Sequence, residues 1–164
     1  MFESLSEIST TREQFEKFKR GELAEDWFKR YPELFDDDDI RVARTQAKMG
    51  LHYYEWLSAL TIYQSTEYLS LIESYEFKVQ KRKQKIIKDL LPEKVLEAIL
   101  MPYDDSRKAQ CPDLLCFKPD YSDWFFCEVK GPTDKLRDVQ EDYFAHLSEA
   151  SGKPIKVVNL RWLS

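Results

Sequence analysis

The sequence predicts an α/β domain, and three observations carry that reading. The chain up to about residue 100 is written largely in helical periods. After Met101 the pattern changes to short apolar runs separated by turn residues, in the order strand, strand, helix, strand. The composition can also fill a core: of 164 residues, 43% are hydrophobic and 14% aromatic, which suits one compact unit and not a disordered chain.

Taken in order, residues 1–31 read as helical. Thr10 with Glu13 fits a capping box, and Phe15 and Phe18 follow at helical spacing. Pro32 and the acidic run Asp36 to Asp39 then interrupt the pattern. Residues 51–63 are apolar almost all round, through Tyr53, Tyr54, Trp56, Leu57, Ala59, Leu60, Ile62 and Tyr63, which predicts a helix buried in the domain. Further helices are expected over 67–76, 80–91 and 92–100, the last with Pro92 at its first position. Residues 103–110 read as a polar connector.

Residues 114–117 then predict a short strand, 118–123 a turn and 124–130 a longer strand closed by Gly131-Pro132. A helix to about Ala150 follows, with Val139, Tyr143 and Leu147 recurring every fourth residue and Gly152 placed as its stop. Residues 155–160 form the last expected strand. The sheet needs one more strand upstream of Asp113, and residues 59–63 or 98–103 are the candidates.

The formal net charge of −5 does not mark a nucleic-acid binder, but binding depends on local patches and metal ions offset clustered acids. One such patch is the basic segment Lys78, Lys81, Arg82, Lys83, Lys85 and Lys88. It could track a phosphate backbone or be a solvated helix face. Cys111, Cys116 and Cys127 form no CxxC pair, so reduced core thiols are expected in place of a disulfide scaffold or zinc site. No basic region followed by an apolar stretch opens the chain, and no run reaches membrane-spanning length. A cytoplasmic protein with no membrane partner is the expectation.

The chemistry concentrates between Pro112 and Gln140. Asp113 opens the first expected strand, and Glu128 and Lys130 lie two apart on the next, so they share one face while Val129 points to the other. Trp124 and Phe126 share the Glu128 face, which argues against a solvated surface ion pair there. Charges in apolar segments are paired, metal-bound or catalytic. Two carboxylates and an ammonium at a strand end can hold a hard cation and activate water, the chemistry of metal-dependent phosphodiester hydrolysis. No Ser–His or Cys–His pair offers a covalent alternative.

Pro112-Asp113, then Glu128-Val129-Lys130-Gly131-Pro132, Asp134, Leu136 and Gln140, resemble the PD-(D/E)xK nuclease superfamily, and more narrowly its virus-type replication-repair nuclease (VRR-NUC) branch of stand-alone bacterial and phage type. The segment His52-Tyr53-Tyr54-Glu55-Trp56-Leu57 resembles the helix preceding the core in that branch. The resemblance implies a restriction-endonuclease-like core, a central mixed sheet flanked by helices. It covers residues 50–164, leaving 1–49 as a helical N-terminal extension within one compact unit.

It further implies that Asp113 and Glu128, with the Val129 carbonyl, bind Mg2+ or Mn2+. Lys130 would orient the attacking water, and Gln140 would orient water or phosphate. Glu55 would supply a helical acidic ligand, although a first-turn acid favoured by the helix dipole is the bland reading of the same residue. His52, three residues earlier, reads as a structural histidine. Lys81, Arg82, Lys83 and Lys85 are the candidate DNA contacts. The implied function is a DNA endonuclease acting on structured or branched DNA in repair or recombination, with homodimers as an implied assembly. The competing function is a catalytically silent nuclease fold that binds DNA or a protein.

Overall fold

The computed structural model describes residues 2–72, 75, 81–100, 111–136 and 138–163, without the side chains of Leu100 and Val139. The elements in chain order are β1 (Phe2–Thr10), α1 (Arg12–Lys19), α2 (Glu22–Arg30), α3 (Asp37–Met49), α4 (Tyr53–Thr66), β2 (Leu69–Ile72), α5 (Lys81–Leu90), α6 (Glu93–Leu100), β3 (Leu114–Phe117), β4 (Trp124–Lys130), α7 (Asp138–Ser151) and β5 (Ile155–Trp162). The strands make one sheet in the order β1-β5-β4-β3-β2. β1 and β4 both run parallel to β5, whereas β3 is antiparallel to β4 and to β2. The architecture is the expected one: a central mixed sheet flanked by helices.

The period-2 alternation of β4 divides the core in two. Phe125, Cys127 and Val129 pack with α1–α4 and the α2–α3 connection, including Phe18, Phe35, Tyr53 and Trp56. Trp124 and Phe126 pack on the opposite face with Ile87, Val95, Tyr143, Phe144 and Leu147 from α5–α7. Glu128 and Lys130 therefore emerge on the α5–α7 face, near the C-terminal end of β4. The three cysteines are buried.

Four local expectations are corrected. Residues 2–10 are a strand and not helix, and they pair in parallel with β5, bringing this part of the expected helical extension into the sheet itself. The helix cap falls one residue later than the capping box predicted: Thr11 accepts from the Gln14 amide at 3.1 Å. Thr10 instead ends the strand and meets the Tyr53 hydroxyl at 2.6 Å.

The acidic run begins a helix in place of interrupting one. The Asp36 side chain accepts from the Asp39 amide at 2.7 Å, and Asp37, Asp38 and Asp39 occupy the first turn, where the helix dipole favours negative charge. Finally, the missing strand is β2, inside the segment expected to be helix over 67–76. Residues 59–63 belong to α4, while 98–100 close α6 and 101–103 lie outside the described residues. The polar connector of 103–110 and Lys78 also lie outside them.

Candidate functional site

Asp113 sits immediately before β3, and Glu128 lies at the matching level of β4, because Leu114 pairs with Cys127 in the antiparallel ladder. Two backbone bonds interlock the acids. The Asp113 amide donates to Glu128 Oε1 at 3.2 Å, and the Val129 amide donates to Asp113 Oδ2 at 2.9 Å. Lys130 Nζ stands 3.4 Å from Glu128 Oε2, with only 12% of its side chain exposed. From the first turn of α7, Gln140 Nε2 donates to the same Oε2 at 3.2 Å. Asp113, Glu128, Val129, Lys130 and Gln140, from the entry to β3, from β4 and from α7, are thus brought together in one place.

The electrostatics of this cluster are unbalanced. Glu128 is 2% exposed. Burial first, then its hydrogen bond to the Asp113 carboxyl and that group's charge, push the Glu128 carboxyl up to about 9, against an opposing pull from Lys130. Two acids share one low-dielectric pocket with a single ammonium beside them, so in the metal-free protein a proton held on Glu128 offsets the second negative charge. The oxygen donors present, two carboxylates and the Val129 carbonyl, fit a hard divalent cation. Among the described residues, no three His, Cys, Asp or Glu side chains gather as a metal site.

Glu55 is not brought into a three-acid cluster with Asp113 and Glu128. It lies on the first turn of α4, whose core contacts are on the opposite sheet face, and its carboxylate stands 3.8 Å from His52 Nδ1. His52 caps that helix with a left-handed backbone, φ 62°.

Three of the four basic candidates on α5 are engaged by the protein. Arg82 Nε pairs with Asp36 at 2.7 Å and its Nη1 lies 3.8 Å from the buried Asp39, while Lys83 Nζ donates to the Ile72 carbonyl at 2.7 Å. Lys85 pairs with Asp89 one turn on, and Lys81 is exposed.

Several positioning contacts were invisible in the sequence. The fully buried Tyr75 donates its hydroxyl to the Pro112 carbonyl at 2.8 Å, steadying the residue before Asp113. Past Lys130, the Gly131 amide donates to Asp134 Oδ2 at 2.9 Å. A Cβ built on Gly131 would stand 2.8 Å from Tyr54 Cε2 and 3.0 Å from Asp134 Oδ2, so glycine lets the α4 tyrosine lie against the strand end. Of these, only the glycine and aspartate carried a signal, as members of the Glu-Val-Lys-Gly-Pro-x-Asp run.

The sequence profile of the VRR-NUC domain matches residues 59–162. Among solved structures, the chain is similar to a crystal structure of paFAN1 bound to 2nt 5′ flap DNA with gap, at 21% sequence identity and a TM-score of 0.40. That similarity covers 78% of this chain and 25% of the other, so the chain spans about a quarter of that protein's length. No curated protein matches it. Because the profile takes in well over half of the sequence, including both strands of the acidic pair and the α7 glutamine, the chain belongs to the VRR-NUC domain family.

Proposed function

We propose that the chain is a Mg2+- or Mn2+-dependent DNA endonuclease that hydrolyses phosphodiester bonds in structured or branched DNA. The observation that carries this reading is the interlocked pair of Asp113 and Glu128 with Lys130 3.4 Å away and Gln140 3.2 Å away. Membership of the VRR-NUC family supports it independently. Asp113, Glu128 and the Val129 carbonyl would hold the cation, which when bound polarises the scissile phosphate and lowers the pKa of water.

The remaining roles belong to this chain's own groups. Lys130 carries an ammonium in a nearly dry site, where it can orient water for in-line attack and offset charge developing on the phosphorane. Gln140, fixed to Glu128, presents a neutral amide that can hold water or a phosphate oxygen in register. Pairing of two copies would set two sites against the two strands of a junction, which sizing by light scattering would detect.

The test is cleavage of flap, four-way, nicked and linear DNA side by side, with Mg2+, Mn2+ or EDTA. The intact chain should cut in a divalent-dependent way and prefer the branched substrates. Lys130→Ala should lower the rate by about 10²-fold or more, the scale for removing one preorganised charge partner. A Lys130→Ala protein as active as the parent would remove that residue's role. An intact chain that binds DNA but cuts none of the substrates with either metal would favour the silent, DNA-binding fold.

A further inference from the structure

The N-terminal helices carry a charged feature remote in sequence from the acidic pair and outside the family-matched segment. A cavity of about 330 Å³ opens between the α1–α2 turn and α3, lined by Arg20, Gly21, Ala24, Glu25, Arg44 and Lys48. Three of those side chains are cationic and one is acidic. Arg44 and Lys48 are four residues apart on α3, so they stand one turn apart on the same helix face. Arg20 faces them from the C-cap of α1.

Their existing partners are weak ones. Arg20 bonds Glu22 at 3.1 Å and Arg44 bonds Glu25 through two nitrogens, but all four side chains are 45–58% exposed. Exposed ion pairs contribute little in general, although the two-nitrogen Arg44–Glu25 pair is the firmer of these. Lys48 has no ion pair among the described residues. The contrast with α5 is informative, because Arg82 is held against Asp39, whose side chain is only 7% exposed, and Lys83 bonds a main-chain carbonyl. Among the described residues, Arg20, Arg44 and Lys48 lack such buried anchors.

We infer that this cavity is a phosphate-binding subsite for a nucleic-acid backbone, a reading that rests on the nuclease function proposed above. A polyanion is favoured over a single small anion for a physical reason. Exposed cations gain little from one solvated phosphate, whereas a nucleic acid releases condensed counterions for every phosphate neutralised. Arginine adds a planar fork that meets two phosphate oxygens at once. The N-terminal helices thereby acquire a binding role separate from the chemistry at Asp113 and Glu128.

The test uses the full chain and fluorescent flap and duplex DNA in EDTA, so that binding is read without cleavage. Arg20→Gln/Lys48→Gln leaves the Arg44–Glu25 pair in place. It should weaken binding by about tenfold at moderate salt and reduce the slope of log K against log[salt] by about 1–2, since each cation removed leaves one phosphate with its counterion. Should that variant melt early, Lys48→Glu alone supplies the measurement and should shift both quantities in the same direction. A folded variant with unchanged affinity and salt slope would overturn the inference. Inorganic phosphate, compared with chloride at matched ionic strength, should compete no better than the chloride. Strong competition at matched ionic strength would overturn the backbone assignment in favour of a small-anion site. Failure of the nuclease reading gives a different signature: no cleavage with any metal, while the variants still lose DNA affinity.

Discussion

Two acids at opposite ends of one strand show how differently the same side-chain chemistry can be settled. Asp123, just before β4, accepts from Tyr68 at 2.6 Å and from Lys153 at 2.8 Å, and Lys153 also bonds the Trp124 carbonyl at 2.7 Å. Those donors hold its carboxyl down to about 2, the Lys153 hydrogen bond being the largest cause. Glu128, five residues on, meets a second acid and is pushed the other way by burial. The fold completes Asp123 with its own cation and ties β2, β4 and the start of β5 together. At Glu128 a bound proton covers the deficit of positive charge, and an external cation could take that proton's place.

The largest effect should come from removing that deficit. Glu128→Gln or Asp113→Asn should lower metal-dependent cleavage by on the order of 10³-fold or more, because a carboxylate proposed to hold the cation would be gone. The same variants should keep or raise the melting temperature in EDTA, since a buried acid–acid contact is relieved. Loss of fold would make the pair structural.

Next comes Gly131→Ala, which places a methyl within 2.8 Å of the Tyr54 ring. We expect a loss of about 1–3 kcal/mol in denaturant unfolding, the usual cost of overpacking, together with reduced cleavage as the strand end shifts. A fully stable Gly131→Ala protein would mean that Tyr54 yields easily and positions nothing.

The pH dependence separates the two acids by sign. Glu128 binds its proton more tightly folded than unfolded, so its contribution is complete below about pH 4.5 and is lost as pH rises towards 9 in metal-free protein. Asp39, raised to about 6 chiefly by burial, loses its contribution between about pH 3.8 and 6. Asp123 behaves oppositely, with stability present above about pH 3.8 and lost as pH falls towards 2. Thermal melts should therefore show Mg2+ stabilisation growing from pH 6 to 9. A metal effect that is flat across that range would contradict the assignment. The smallest effect is Asp123→Asn, about 1 kcal/mol or less at neutral pH after solvent screening, with cleavage unchanged. A large loss of cleavage there would erase the distinction between the two ends.

Legibility followed the same division. β3 and β4 were readable to the residue because apolar runs sit between strong turn signals, and the acidic pair followed from period-2 geometry and the motif. β2 was hidden because it is only four residues long, Leu-Ser-Leu-Ile, and follows α4 closely, too short a span for any period to emerge. β1 is too polar to announce itself, being half exposed at the sheet edge, and the real helix signal at Thr11 pulled the boundary upstream. The α5 cations were legible as charge but not as partners, since Asp36 and Asp39 reach Arg82 only through tertiary contact. Tyr54 against Gly131 and Tyr75 against Pro112 were unreadable for the same reason.

Calorimetric titration of Mn2+ into the intact chain and into Glu128→Gln, near pH 7.5 in two buffers of different protonation enthalpy, tests the central claim most directly. The intact chain should bind saturably with release of a proton, and Glu128→Gln should lose both the binding and the proton release. Equal binding by the two proteins, or none by the intact chain, would contradict that claim.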